Sequence, residues 1–318
     1  MTSKKSRVHP RYKTKYRVGN WASYDQSLVE RGSVTLWFSA DALAAWTPMP
    51  TGRRGGQRKF SDVAIETALT LRLVYHLPLR QAEGFLQSLL GLMQIDLRAP
   101  DHTTLSRRSG ALQVGLQSRR TSEPMHLIVD STGLSIMGEG EWAKEKHGGN
   151  GKRGRKKLHL GVDATGLIVA QILTDGNADD AATVPQLLDQ IDGEIALFVA
   201  DAAYDTRPVY RALKERGAAV VVPPVKPAVS GHQKKSDATD RDKTIERVRE
   251  VGRRQWMKES GYHRQARVEN AFFRYKTILG GRLQARTPSA QAVEARVACH
   301  VLNRMTELGR PESIAVDA

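Results

Sequence analysis

Between residues 60 and 93 the apolar positions fall at helical spacing. Ile65, Leu69 and Leu73 keep one face, and Pro78 separates them from Ala82, Leu86, Leu89 and Leu90; two helices are predicted. In "PDHTTLSRR", Asp101 is the expected N-cap of a short helix. That helix would present His102, Thr103, Thr104, Arg107 and Arg108, with Leu105 turned inward. A small helical unit ending in a polar, basic helix is how helix-turn-helix proteins offer a recognition helix. An ordinary exposed helix has the same pattern.

Beyond residue 120 the apolar positions bunch into short runs. "MHLIVD" (125–130) predicts a strand ending at Asp130, and "KLHLGVDA" (157–164) with "LIVAQILTDG" (167–176) a hairpin turned at Ala164-Thr165-Gly166. A helix over roughly 184–192 precedes the strand "IALFVA", which ends at Asp201. A helix at about 206–216 and the strand "AAVVVPP" follow. Residues 223–258 are polar and rich in Pro and Lys, and are expected to form a mobile insertion. Two helices close the chain, one over 262–279 and one starting at Thr287-Pro288. Three strands followed by alternating helix and strand predict an α/β fold: a mixed sheet with flanking helices, behind a helical N-terminal region.

Composition narrows the class. The 318 residues suit two domains, and 40% apolar content can fill a core. No stretch could span a bilayer, and the basic N-terminus has no apolar segment behind it, so a cytoplasmic protein is expected. The single cysteine, Cys299, excludes a disulfide framework and suits a core thiol. The net charge of +15 is unevenly placed, since residues 1–60 hold twelve Lys/Arg against three Asp/Glu. Residues 1–18 carry seven cations and no acid, with Tyr12 and Tyr16 interleaved. A polyanion partner is expected, and nucleic acid rather than membrane, because no amphipathic apolar face accompanies the charge.

Two apolar strands each ending in an aspartate invite a joint reading. As neighbours they would bring Asp130 and Asp201 to one sheet edge, where small residues leave room for a ligand. Close carboxylates repel unless a hard cation such as Mg²⁺ or Mn²⁺ lies between them. On a continuous helix over 262–279, Tyr262, Gln265, Glu269 and Lys276 share a narrow arc beside the apolar stripe Val268, Phe272, Tyr275 and Leu279.

With "VDSTGL", "ADAAYDTRP" and "YHRQARVENAFFRYK", together with "GEGEWAKEKHG", "RKKLHLGVD" and "PDHTTLSRR", nearly the whole chain resembles the DDE transposases of bacterial insertion sequences, most nearly the insertion-sequence-5 family. The resemblance implies a basic arm and helical DNA-binding region over residues 1–118, and a ribonuclease-H-like catalytic domain over 119–318. It implies that Asp130, Asp201 and Glu269 hold two divalent ions, Mg²⁺ or Mn²⁺. Those ions would serve cut-and-paste transposition on double-stranded DNA, both transposon ends and target, by a homodimer on paired ends. A nuclease without strand transfer and a DNA-binding protein from a decayed element are the alternatives. The family's last helix carries Tyr, Arg, Glu and Lys; here Tyr262, Glu269 and Lys276 match, but Gln265 stands at the arginine position. A DNA-facing Gln265 predicts that Gln265→Arg tightens the grip on the DNA end.

Other groups carry lesser expectations. Lys152, Arg153, Arg155, Lys156 and Lys157 in "HGGNGKRGRKK" are expected to contact the DNA backbone. Trp142 and Trp256 are expected to pack rather than stack on a base. His147 and His159 lack companions at zinc spacing. Asp179 and Asp180 are expected to start a helix, and Asp163 to serve a turn.

Overall fold

The computed structural model describes residues 16–49, 52, 56–116, 124–137, 155–231 and 239–315. A strand β1 (Tyr16–Val18) leads into helices α1 (Trp21–Glu30), α2 (Val34–Trp37), α3 (Ala40–Ala44), α4 (Asp62–Val74), α5 (Leu79–Leu92) and α6 (His102–Ser109). The two helices expected before residue 93 are therefore present, divided at Pro78. Ser61 caps α4 by accepting from Ala64 N, and Asp101 caps α6 by accepting from Thr104 N at 2.8 Å. Each such cap contributes about 1 kcal/mol.

The sheet follows. Strands β2 (Met125–Ile136), β3 (Arg155–Val162) and β4 (Ile168–Asp175) form an antiparallel meander; β5 (Ile195–Val199) and β6 (Ala219–Val221) then join parallel to β2. The order β4-β3-β2-β5-β6 is that of the expected ribonuclease-H-like sheet. Gly166, at φ +84°, turns the β3–β4 hairpin in the left-handed region that suits glycine. Crossovers α7 (Val184–Leu188) and α8 (Arg207–Glu215) pack on one face, where Leu127, Val129, Phe198, Leu187 and Leu213 are buried together.

The other face meets a second core. Ile128, Leu158 and Val199 pack there with Val268 and Phe272, with the last helix, and with the N-terminal helices through Ile65, Leu69, Leu86 and Leu105. The N-terminal helices and the sheet thus share one apolar interior. Cys299 lies within it, with its thiol proton affinity raised by burial.

Two predictions fail in this region. Instead of a structureless insertion, residues 239–259 fold into α9 (Asp240–Val251) and α10 (Arg253–Glu259). Thr239 and Asp242 form a reciprocal capping box. Arg241 grips the buried carboxylate of Asp205 with two hydrogen bonds of 2.7 and 2.9 Å. The helix expected over 262–279 is also not continuous. It is a 3₁₀ turn (Tyr262–Gln265), an α-helix α11 (Ala266–Arg274) and a π-turn (Tyr275–Leu279). The two-residue strand β7 (Arg282–Leu283) then pairs with the far end of β2, and α12 (Pro288–Leu308) and β8 (Ser313–Ala315) complete the chain. Thr287 caps α12 as expected, and β8 pairs with β1.

Candidate functional site

The β2–β5 register brings Ile128 opposite Val199. Two residues further on, the same register sets Asp130 beside Asp201: Asp201 lies just past the end of β5, whereas Asp130 sits midway along β2, which runs on to Ile136 in its ladder with β3 instead of ending at Asp130 as expected. Both side chains are half-buried. Asp130 Oδ1 accepts from Ser131 N at 2.7 Å, and Asp201 Oδ1 accepts from Ala203 N at 2.9 Å. Each carboxylate is thereby oriented by its own backbone, with its other oxygen free of those bonds. Glu269, on α11, stands exposed.

The electrostatics tie these acids together. The Asp130 pKa is raised to about 6, first by burial, against the opposing Ser131 N–H, and then by Asp201, Glu269 and Asp180. The Tyr262 hydroxyl is also pushed up, first by burial and then by Asp201, Asp130 and Glu269, so this phenol faces the same three acids. The cluster is rich in acids, and its donors are hard oxygens. Such a set suits Mg²⁺ or Mn²⁺. Among the described residues no three acids, histidines or cysteines already close around one point.

Gln265 corrects an expectation. It is 4% exposed, and its Nε2 donates to Val129 O at 3.1 Å. Along that side of β2, pairing with β5 ends at Ile128 and pairing with β7 starts at Ser135. The amide therefore satisfies a buried carbonyl in this gap, one residue before Asp130. It holds the 3₁₀ turn against β2 and does not face a DNA end, so the expected gain from Gln265→Arg is withdrawn. Gly261, at φ +71°, makes the left-handed bend that starts the turn.

Several other expected contacts are committed within the protein. His102 Nδ1 and its backbone N–H both meet Glu83 Oε2, at 2.8 and 2.9 Å. Thr103 and Thr104 donate to Asp101, and Arg108 donates to Phe60 O and Asp62. In α6 only Arg107 remains an exposed cation. Lys156 pairs with Asp175 at 2.7 Å, and Lys157 reaches Ala178 O at 2.8 Å and Asp180 at 3.2 Å. Arg155 and Lys276 are exposed; Lys152, Arg153, Trp142 and His147 lie outside the described residues. Trp256 packs at 6% exposure, its ring 6.3 Å from that of Tyr262. Asp163 serves its turn by accepting from Thr165 and Leu167.

The pair at 179–180 divides its labour. Asp179 caps the turn by accepting from Ala181 N at 2.8 Å. Asp180 instead lies between Lys157 and the fully buried His159, at 3.2 and 3.3 Å, and bears on Asp130. Sequence reasoning missed that second role; the adjacent acids were its only signal.

A mixed sheet of this order with flanking helices is a ribonuclease-H-like fold. A family model described as "Transposase DDE domain" matches residues 121–304, and a second model of the same description matches residues 29–139. The chain belongs to the DDE transposase family, enzymes of DNA transposition that use divalent metal ions. Among solved structures, the cryo-EM structure of a piggyBac transposase synaptic complex with hairpin DNA is similar over 87% of this chain and 73% of that one. Its TM-score is 0.36 at 9% identity, too distant to add to the strand order.

Proposed function

We propose that Asp130, Asp201 and Glu269 are the catalytic, metal-holding acids of a transposase that cuts at transposon ends and joins the freed strand to target DNA. The observation that carries this is the register bringing Asp130 beside Asp201, with Glu269 near enough to raise the proton affinity of Asp130. Two divalent ions, Mg²⁺ or Mn²⁺, would supply activation of the attacking oxygen and neutralisation of the leaving one. The protein's part is placement. The middle of β2 holds Asp130 and the end of β5 holds Asp201, backbone N–H groups orient them, and Gln265 fixes the neighbouring carbonyl. Hydrolysis of one phosphodiester at each end would leave a 3′-hydroxyl and a 5′-phosphate; cutting of the second strand would free the element, and attack by its 3′-hydroxyl on a target phosphodiester, expelling a target 3′-hydroxyl, would join it in a cut-and-paste cycle.

Within the family we assign the chain to the insertion-sequence-5 group, on the motifs around the three acids. We take residues 1–118 as the main DNA-binding region, 119–318 as the catalytic domain, and a homodimer on paired ends at the bacterial nucleoid as the working unit. Tyr262, Lys276, Arg107 and Arg155 are the expected DNA contacts whose side chains remain available. Because the N-terminal helices share the core of the sheet, the test uses the whole chain. Purified protein is incubated with Mg²⁺ and DNA carrying the ends that flank its gene. Nicked ends and joined products are expected. Nicks without joining would leave a nuclease, and no products in Mg²⁺ or Mn²⁺ would remove the enzymatic reading.

A further inference from the structure

We propose that a groove between the outer side of α11 and the segment after α12 is a DNA-backbone site, taking phosphates of the duplex beside the cut. This rests on the transposase reading and extends it to a surface outside the acid site. The groove has a volume of about 560 Å³ and is bordered by Tyr24 of α1, the β3–β4 turn, α11 and residues 309–313. Arg31, Arg264, Arg267, Arg274 and Arg310 line it, and no acid among the described residues does.

Two of these arginines sit where a guanidinium ordinarily brings a carboxylate. Arg274 is partly buried and donates only to neutral oxygens, Thr306 Oγ1 at 2.7 Å and Leu302 O at 3.2 Å. Its pKa falls to about 10, first through burial and then through the nearby charge of Arg31. Arg31 lies over the Tyr24 ring at 5.8 Å and donates to Gly309 O, while its buried Nε has no acceptor among the described residues. Two like charges withdrawn from water without a counter-ion are costly, and an anion between them would remove that cost. Phosphate oxygens match the fork of a guanidinium.

The groove's extent favours a polymer over a small ion. Arg264 and Arg274 are ten residues apart, which is about 15 Å along a helix and enough for several successive phosphates. Phe273, also in the lining, is 67% exposed and lies one turn beyond Glu269. Arg267 and Arg274 project from the side of α11 opposite Glu269, so the groove would hold duplex passing behind the acid site.

The test compares full-length wild type with Arg264→Gln/Arg267→Gln and with Phe273→Asp. Each is titrated into a fluorescein-labelled random duplex of about 30 base pairs, over about 50–300 mM salt. The double variant should flatten the slope of log affinity against log salt by about 2 units, near 0.9 per lost phosphate contact. Phe273→Asp should weaken binding about tenfold at about 100 mM salt, through repulsion of the backbone. Neither should lower the melting temperature. Wild-type slope and affinity in both variants would overturn the groove while leaving the transposase reading intact. Inorganic phosphate that raises the melting temperature, with the variants' slopes unchanged, would assign the pocket to the free ion and also overturn it. A wild-type protein whose DNA binding ignores salt would overturn both readings together.

Discussion

Helices α6 and α11 carry similar polar, basic sequences, and the fold uses them differently. In α6, His102 bonds to Glu83 of α5 and Arg108 to Asp62 of α4, which pins the helix against both, while Thr103 and Thr104 donate to its own cap Asp101. On the outer side of α11, Arg264, Arg267 and Arg274 have no carboxylate partner among the described residues. A polar face in a sequence is thus not yet a binding face. What separates the two is whether acids such as Glu83 and Asp62 fold against it.

The largest expected effect lies at the acids. Asp130→Ala, Asp201→Ala or Glu269→Ala should each lower end cleavage about 10³-fold, some 4 kcal/mol of transition-state stabilisation, with duplex binding retained. A variant that still cuts at a substantial rate in gel assays removes its residue from the triad. Next is Arg241→Ala, which strands the buried carboxylate of Asp205. A loss of about 3–5 kcal/mol in urea unfolding is expected, and a change within 1 kcal/mol would mean that α9 is not clamped.

Arg108→Gln tests the committed helix. It should cost about 1.5–3 kcal/mol of stability, as charged hydrogen bonds do, and leave the salt dependence of DNA binding unchanged. A changed salt slope at full stability would make α6 a recognition helix after all. Asp130→Asn, without metal, should show a pH-dependent gain. Below pH 3.8, the ordinary value, the carboxyl is protonated folded or unfolded; above about 6 it is charged in both, and burial penalises the charged form. Wild-type stability should therefore fall between those limits, and the variant's advantage, a few degrees or about 2–4 °C per kcal/mol, should appear only on the alkaline side. An equal advantage at pH 3 would point to a cause other than this charge. The smallest effect is at Arg107, where Gln should flatten the salt slope by about 0.9 if it meets one phosphate; a shift of zero leaves α6 wholly structural.

That Asp130 and Asp201 lie on neighbouring strands was legible because two apolar runs that each meet an acid constrain each other; that β2 runs on past Asp130 to Ile136 was not, since "STGLSI" lacks a continuous apolar run. Asp101 and Thr287 were legible as caps because capping is local. The insertion was not, since "DRDKTIERVREV" has too few apolar residues to show a helical stripe. Its signal was the Thr239–Asp242 capping box, and its anchor, Asp205, lies 36 residues from Arg241. Gln265 was misread for a related reason. Its direction depends on a gap between β5 and β7 that only the assembled sheet contains, and on a 3₁₀ turn that shifts the helical register.

The pairing of β1 with β8 closes nearly the whole chain into a ring, with Tyr16 opposite Ala315. In polymer terms, closing a flexible loop of about 300 residues costs on the order of 5 kcal/mol, more than a three-residue ladder recovers by itself. The clasp can therefore form only after the sheet and α12 have brought the ends together, helped by the bonds of Asn20 to Arg310 O and Glu312 N. It should be the last contact made on refolding and the first to open. Amide exchange at Val18 and Ile314 would then run far ahead of exchange at Ile128 and Val199.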